Sequence, residues 1–173
     1  MTARNSWTPN ELDAIDATGE VGIATRRADG TLRSPRIVWI VRHTDAVYVR
    51  SVNGVDAAWY RGVQARHQGE LTAGPLQRDV LFVEAGQHTA GDSGIDGAAL
   101  DDALDEAYRV KYGRSSSAVA HITADPARAT TLRVDPVWAT ATGTPGTTHH
   151  RSLPEPAQRG EGTTWKETRP RPR

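Results

Sequence analysis

R-I-V-W-I-V-R-H-T-D-A-V-Y-V-R-S-V-N-G-V-D-A-A-W-Y-R-G-V-Q-A-R-H-Q-G-E-L, residues 36–71, is the stretch whose reading decides the fold. In residues 36–42, Ile37, Trp39 and Val41 share one face and Val38 and Ile40 the other. A strand apolar on both faces reads as one covered on both sides, at the centre of a sheet. His43-Thr44-Asp45 turns the chain, and residues 46–51 return as a strand with Val47 and Val49 opposite Tyr48 and Arg50. Arg50-Ser51 runs into an Asn53-Gly54 turn. A helix over residues 57–66 follows, with Trp59, Tyr60 and Val63 inward and Gly69 beyond its end. A guanidinium, a hydroxyl, turn amides and a helix start, brought together, are the donor set that suits an anion; on pattern alone they suit at least as well ordinary exposed strand ends joined by a plain turn.

Working outward, Thr8-Pro9-Asn10-Glu11 carries a helix start: a Thr cap, Pro at the first helical position and Glu three residues after the cap. Leu12 and Ile15 make this helix a lid on the core that stops near Gly19. Residues 20–27 alternate as a strand, and Asp29-Gly30 is a hairpin signal. Residues 70–73 and 77–84 read as two further strands separated by Gly74-Pro75. Residues 85–97 are rich in Gly, Asp and Ser and read as a loop. Their Gly91-Asp92-Ser93-Gly94 imitates a serine-protease signature without a triad context, and the twelfth position of a calcium loop is Ala103, not a Glu.

Residues 98–112 give the clearest helix, with Leu100, Leu104, Ala107 and Tyr108 at helical spacing. Asp101, Asp102, Asp105 and Glu106 read as its solvated face, with Asp105 spaced to pair with Arg109. Residues 114–121 suggest no more than a helical turn, and a last strand is expected over 129–134. The sum is a mainly β chain with flanking helices (α+β), six antiparallel strands curled into a barrel.

The chain has 173 residues and no cysteine, which removes disulfides, Cys-ligated zinc and thiol catalysis and fits a reducing compartment. No apolar run approaches a membrane span, and the N-terminus has no apolar signal core, so a cytoplasmic protein is expected, with no membrane partner. Domain boundaries fall at 1–138 for the barrel and 139–173 for a tail. That tail offers only Leu153 and Trp165 as large apolar residues and reads as disordered. Six basic against three acidic side chains give it +3, leaving −3 on the body, which argues against a nucleic-acid partner.

On pattern alone, Trp59 and Tyr60 suit either core packing or stacking on a planar ring. Trp39 suits either the core or a strand lying beneath such a ring. His43 and His67 sit at a turn and a helix end, and His149-His150 lack the spacing of a metal site, so no metal is expected. No catalytic triad, H-E-x-x-H, Walker lysine or G-x-G-x-x-G appears, so any reaction is expected to be carried by a bound cofactor.

Y-V-R-S-V-N-G followed by W-Y-R, together with the later A-Y-R-V-K-Y-G at residues 107–113 and A-R-A-T-T-L-R-V, resembles the bacterial family known as domain of unknown function 2255. The resemblance spans residues 6–135. That family is grouped with the FMN-binding split barrels, which include pyridoxamine-phosphate oxidase and the deazaflavin-dependent nitroreductases. The resemblance implies a six-stranded split barrel, a homodimer, and FMN or coenzyme F420 at the subunit interface. The run 36–41 is similar to the oxidase's flavin-contacting strand, with Val41 where that strand has lysine. Arg50-Ser51 fall where phosphate ligands lead on, although Gly54-Val55-Asp56 replaces the oxidase's paired basic residues. Trp59-Tyr60-Arg61 partly matches the W-Y-x-N of the deazaflavin enzymes.

The expected cofactor site is therefore Arg36, Val38, Trp39, Arg50, Ser51, Asn53, Gly54, Trp59 and Tyr60, with the Tyr60 hydroxyl as candidate proton donor. The expected function is a flavin- or deazaflavin-dependent oxidoreductase acting on a small organic molecule. The alternative is a non-catalytic carrier of flavin, haem or another hydrophobic ligand on the same fold.

Overall fold

The computed structural model describes residues 6–85, 97–113 and 117–138, all within one unit, Met1–Ala139. The serine-protease-like segment, residues 92–96 of the calcium-like one, His149-His150 and the expected tail over 139–173 lie outside the described residues, while Ala103 of the calcium-like segment is helical.

Among the described residues seven strands form one antiparallel sheet: β1 (Val21–Thr25), β2 (Arg36–Val38), β3 (Ile40–His43), β4 (Ala46–Val49), β5 (Gln68–Ala73), β6 (Leu76–Glu84) and β7 (Leu132–Pro136). Their order is β2-β1-β5-β6-β7-β4-β3. β2 and β3 stand at opposite ends of that order, yet only Trp39 separates them in the chain. Two peptide units span about 7 Å at most, so the two edges of the sheet must meet there. The sheet is a nearly closed barrel split at Trp39.

Alternate residues point inward and exclude water: Val21 and Ile23, Val47 and Val49, Leu71 and Ala73, Val80 and Phe82 are each at most 2% exposed apart from their outward neighbours. Helix α1 (Pro9–Ala17) adds Leu12 and Ile15 to this core, and α2 (Ala58–Ala65) adds Tyr60 and Val63. Fully burying a side chain of this kind is worth about 1.5–3 kcal/mol. The expected start of α1 is present as a full capping box. The Glu11 N–H donates to Thr8 Oγ1 and the Thr8 N–H to Glu11 Oε2 (3.4 and 3.0 Å). Gly69 is pressed into the sheet so closely that a Cβ would lie 2.5 Å from the Ala24 carbonyl oxygen.

Outside the barrel, α3 (Gly97–Tyr112) covers β3 and β4 through Leu100, Leu104 and Tyr108 against Val41 and Tyr48. Two short helices, α4 (Ser117–Ile122) and α5 (Asp125–Arg128), complete that layer.

The structure corrects three readings. The run 36–42 is not one central strand but the two edges of the sheet, which raises the strand count from six to seven. Its second apolar face is covered by α3 around Val41, while Ile37 on β2 is 64% exposed. The last strand begins at Leu132, because Pro126 starts α5 just upstream. The acidic face of α3 is not wholly solvated: Asp105 is 1% exposed.

Candidate functional site

The split at Trp39 is held open by side chains of α3. The Tyr108 hydroxyl donates to the Trp39 carbonyl (3.2 Å) and accepts from the Arg50 N–H (3.1 Å). The Tyr112 hydroxyl accepts from the Ile40 N–H and donates to its carbonyl, both at 3.0 Å. Lys111 Nζ donates to the same carbonyl and to that of Ile15. Backbone groups at the break, which would otherwise continue a ladder, are thus satisfied. The Tyr112 ring also stacks on Trp39, centroids 4.3 Å apart and 6° from parallel. Burial, partly offset by its bond to Ile40, pushes the Tyr112 hydroxyl up to about 12. Burial drives Tyr108 higher still, so both act as neutral hydroxyls.

Beside the split lies a half-open cavity of about 540 Å³, within the range of about 300–1,000 Å³ usual for small-molecule sites. Arg36, Val38 and Trp39 form one wall; Arg50, Ser51 and Asn53 form the second; Trp59 at the start of α2 forms the third. These seven expected residues are therefore brought together. Tyr60 and Gly54 are not. Tyr60 turns into the core and borders a separate cavity with Glu84 and Arg128. Burial, helped by nearby Glu84, raises its pKa, which makes it a poorer proton donor. Gly54, at φ +62°, packs on Pro126 and opens a short 3-10 turn (Gly54–Asp56) ahead of α2.

Arg50 borders the cavity, but its charge is committed elsewhere. Nη1 binds Asp105 Oδ1 at 2.5 Å, Nη2 binds Asp101 Oδ1 at 2.8 Å, and Nε donates to Thr131 Oγ1 at 2.9 Å. With the side chain 0% exposed, this pairing neutralises a charge that could not otherwise be buried. The expectation that Arg50 offers its charge to a phosphate is corrected accordingly. It ties the end of β4 to α3, and Asp105 extends the tie to Arg128 on α5 (2.5 Å).

Ser51 behaves differently. It is 1% exposed, and its hydroxyl has no hydrogen-bond partner among the described residues. A buried hydroxyl left unpaired costs about 1–3 kcal/mol. α2 begins beside it with Ala57 at the cap position and no side-chain cap, so its first amides are also uncapped. No carboxylate, His, Lys or Tyr borders the cavity among the described residues.

Residues 11–134 match the model of a family described as uncharacterized proteins conserved in bacteria, domain of unknown function 2255. The chain belongs to that family. Similar solved structures include the haem storage protein HutZ from Vibrio cholerae (11% identity, 75% of this chain and 89% of that chain covered, TM-score 0.46). A pyridoxamine 5'-phosphate oxidase-related, FMN-binding protein from Nostoc punctiforme is also similar (15%, 77% and 83%, 0.39). So is a conserved hypothetical protein from Mycobacterium tuberculosis (11%, 79% and 84%, 0.44). No curated protein matches the chain.

Among the described residues no cluster of three or more His, Cys, Asp or Glu could hold a metal. No described helix is long and apolar enough to cross a membrane. The residues that sequence reasoning missed are Tyr108, Tyr112 and Asp105. The first two stand in the A-Y-R-V-K-Y-G motif, where polar-tipped aromatics recur at helical spacing on the inner face. Asp105 was detectable because it shares that face with Leu104 and Tyr108.

Proposed function

We propose that the protein binds a flavin-type cofactor, FMN or coenzyme F420, in the cavity beside Trp39, and uses it to oxidise or reduce a small organic molecule. The observation that carries this reading is the cavity walled by two indoles and lined in part by Ser51, a residue whose buried hydroxyl has no described hydrogen-bond partner. Trp39 and Trp59 would flank the flat ring. Trp39 is suited to this because Tyr112 and Tyr108 fix its plane and its carbonyl in advance. The Ser51 hydroxyl and the uncapped amides of α2 would take acceptor oxygens of the cofactor. Arg36, exposed and free of described partners, would supply positive charge. When bound, such a cofactor supplies hydride chemistry, and the protein's task is to orient, exclude water and stabilise charge.

A carrier role is the second reading, favoured by the lack of any side chain in the described lining that could exchange a proton near neutral pH. The mouth of the cavity also bears on assembly. Ile37 and Val52 border it while 64% and 44% exposed, and Val55 nearby is 57% exposed. A second copy of the chain seated on this apolar edge would close the site, making a homodimer the working assembly.

The test is the absorbance spectrum of freshly purified protein, followed by melting curves with FMN, FAD, F420 and haem. A ligand at a hundred times its Kd stabilises by about 2.7 kcal/mol, a readily measured shift. Stabilisation by FMN or F420, with turnover of quinones or nitro compounds, supports the enzyme. Stabilisation without turnover supports the carrier. No shift with any of the four refutes both.

A further inference from the structure

We infer that the hairpin between β1 and β2 forms a dedicated phosphoanion subsite, continuous with the cavity beside Trp39, for the charged arm of the ligand. The inference rests on the cofactor reading above for the ligand's other end. A second hollow of about 230 Å³ adjoins the first and shares Arg36, Ala58 and Trp59 with it. An elongated ligand can therefore run from the indoles along Trp59 into the hairpin.

That hollow brings together Arg27, Arg33 and Arg36 with the Ser34 hydroxyl, and no described carboxylate borders it. The Arg33 and Arg36 guanidinium groups are exposed and make no hydrogen bond or ion pair with a described residue. Arg27 is held in place by its Nη1, which donates to Thr31 Oγ1 (3.1 Å) and the Leu32 carbonyl (2.7 Å). The Asp29-Gly30 turn that sets this geometry has Gly30 at φ +88°, a conformation that favours glycine. The start of α2, uncapped at Ala57, faces the same shared wall through Ala58.

Arginine stays charged at any ordinary pH; Arg27 is partly balanced by Asp29 of the same turn, but Arg33 and Arg36 are not, so the hollow keeps a positive charge that favours an anion between them. Their forked donors match the oxygens of phosphate or pyrophosphate. The arginine whose sequence context suggests a phosphate anchor is neutralised by Asp101 and Asp105. The surplus charge of the site resides on the hairpin.

The experiment uses the full chain and two probes. Inorganic pyrophosphate is titrated while backbone amide signals are followed by NMR, and FMN is compared with riboflavin by fluorescence. The variants are Arg33→Ala and Arg27→Ala, with Arg66→Ala, exposed and outside both hollows, as control. Pyrophosphate is expected to shift the amides of Arg33, Arg36, Ala58 and Trp59. Arg33→Ala should weaken that binding about tenfold or more. It should also erase the preference for FMN over riboflavin while leaving riboflavin affinity unchanged. No response to pyrophosphate, an unchanged FMN-to-riboflavin ratio in Arg33→Ala, or an equal loss in Arg66→Ala would overturn the subsite. If neither the flavins nor F420, titrated in the same way, bind but pyrophosphate shifts these amides and Arg33→Ala abolishes it, the cofactor reading falls and the subsite stands.

Discussion

Tyr108→Phe removes one oxygen atom from a side chain that is 0% exposed, and leaves its ring in place beneath the Arg50 guanidinium. Two hydrogen bonds disappear with it: the one accepted from the Arg50 N–H and the one donated to the Trp39 carbonyl. Each is worth about 0.5–1.5 kcal/mol net, and the buried amide left behind costs about 1–3 kcal/mol. The two figures overlap in part, so the expected loss is about 2–4 kcal/mol. Tyr112→Phe should cost less, about 1 kcal/mol, because its hydroxyl is only partly buried and water can replace it. Urea unfolding followed by far-UV circular dichroism measures both. With m about 2 kcal/mol/M, the Tyr108→Phe midpoint should fall by about 1–2 M. A loss under about 0.5 kcal/mol at unchanged m would mean that the hydroxyl does not hold the split, and that Trp39 is fixed by other contacts.

Asp105→Asn should destabilise by about 3 kcal/mol in the same assay, because it leaves Arg50 and Arg128 short of a buried partner while Asp101 remains. Gly69→Ala should cost about 1–3 kcal/mol, since the new methyl group meets the Ala24 backbone and Phe82 rather than a flexible side chain; unaltered stability would show that the sheet yields there. Glu11 gives a pH signature. Burial raises its pKa, but bonds from Thr8 and Arg78 outweigh that and hold the carboxyl below its ordinary value. A depressed carboxyl stabilises the fold above its unfolded pKa, and that stability is lost as pH falls through the folded value. Glu11→Gln should flatten the stability profile in that acid window and lower the plateau above it; a profile parallel to the parent's would contradict this.

Features specified by neighbouring residues were legible in the sequence. The α1 capping box needs only Thr8 and Glu11, and the β1 hairpin only Asp29-Gly30. The break at Trp39 was not, because the alternation of apolar residues runs through it without interruption. Its cause lies in hydroxyls 69 and 72 residues further along the chain. Arg50 was misjudged for a related reason. Alternation placed it correctly opposite Val49, but its neutralising partner Asp105 is 55 residues away on a helix face that looked solvated. The cavity wall was anticipated at Arg36, Ser51 and Trp59, since strand ends and a helix start place those residues whatever the tertiary details; Trp39 was expected there as a mid-strand residue, not as the break between two strands. Tyr60 differed because two adjacent helical residues point about 100° apart, and only Trp59 can face the cavity.

The most direct test of the central claim is an equilibrium titration of FMN and of F420 into the full chain, read by tryptophan quenching, beside Ser51→Ala and Trp39→Leu. The account predicts saturable quenching by one of them at one site per chain. It predicts binding weakened in Ser51→Ala, where the unpaired hydroxyl is gone, and lost in Trp39→Leu. Affinity identical in the parent and both variants would place the ligand elsewhere and contradict the account.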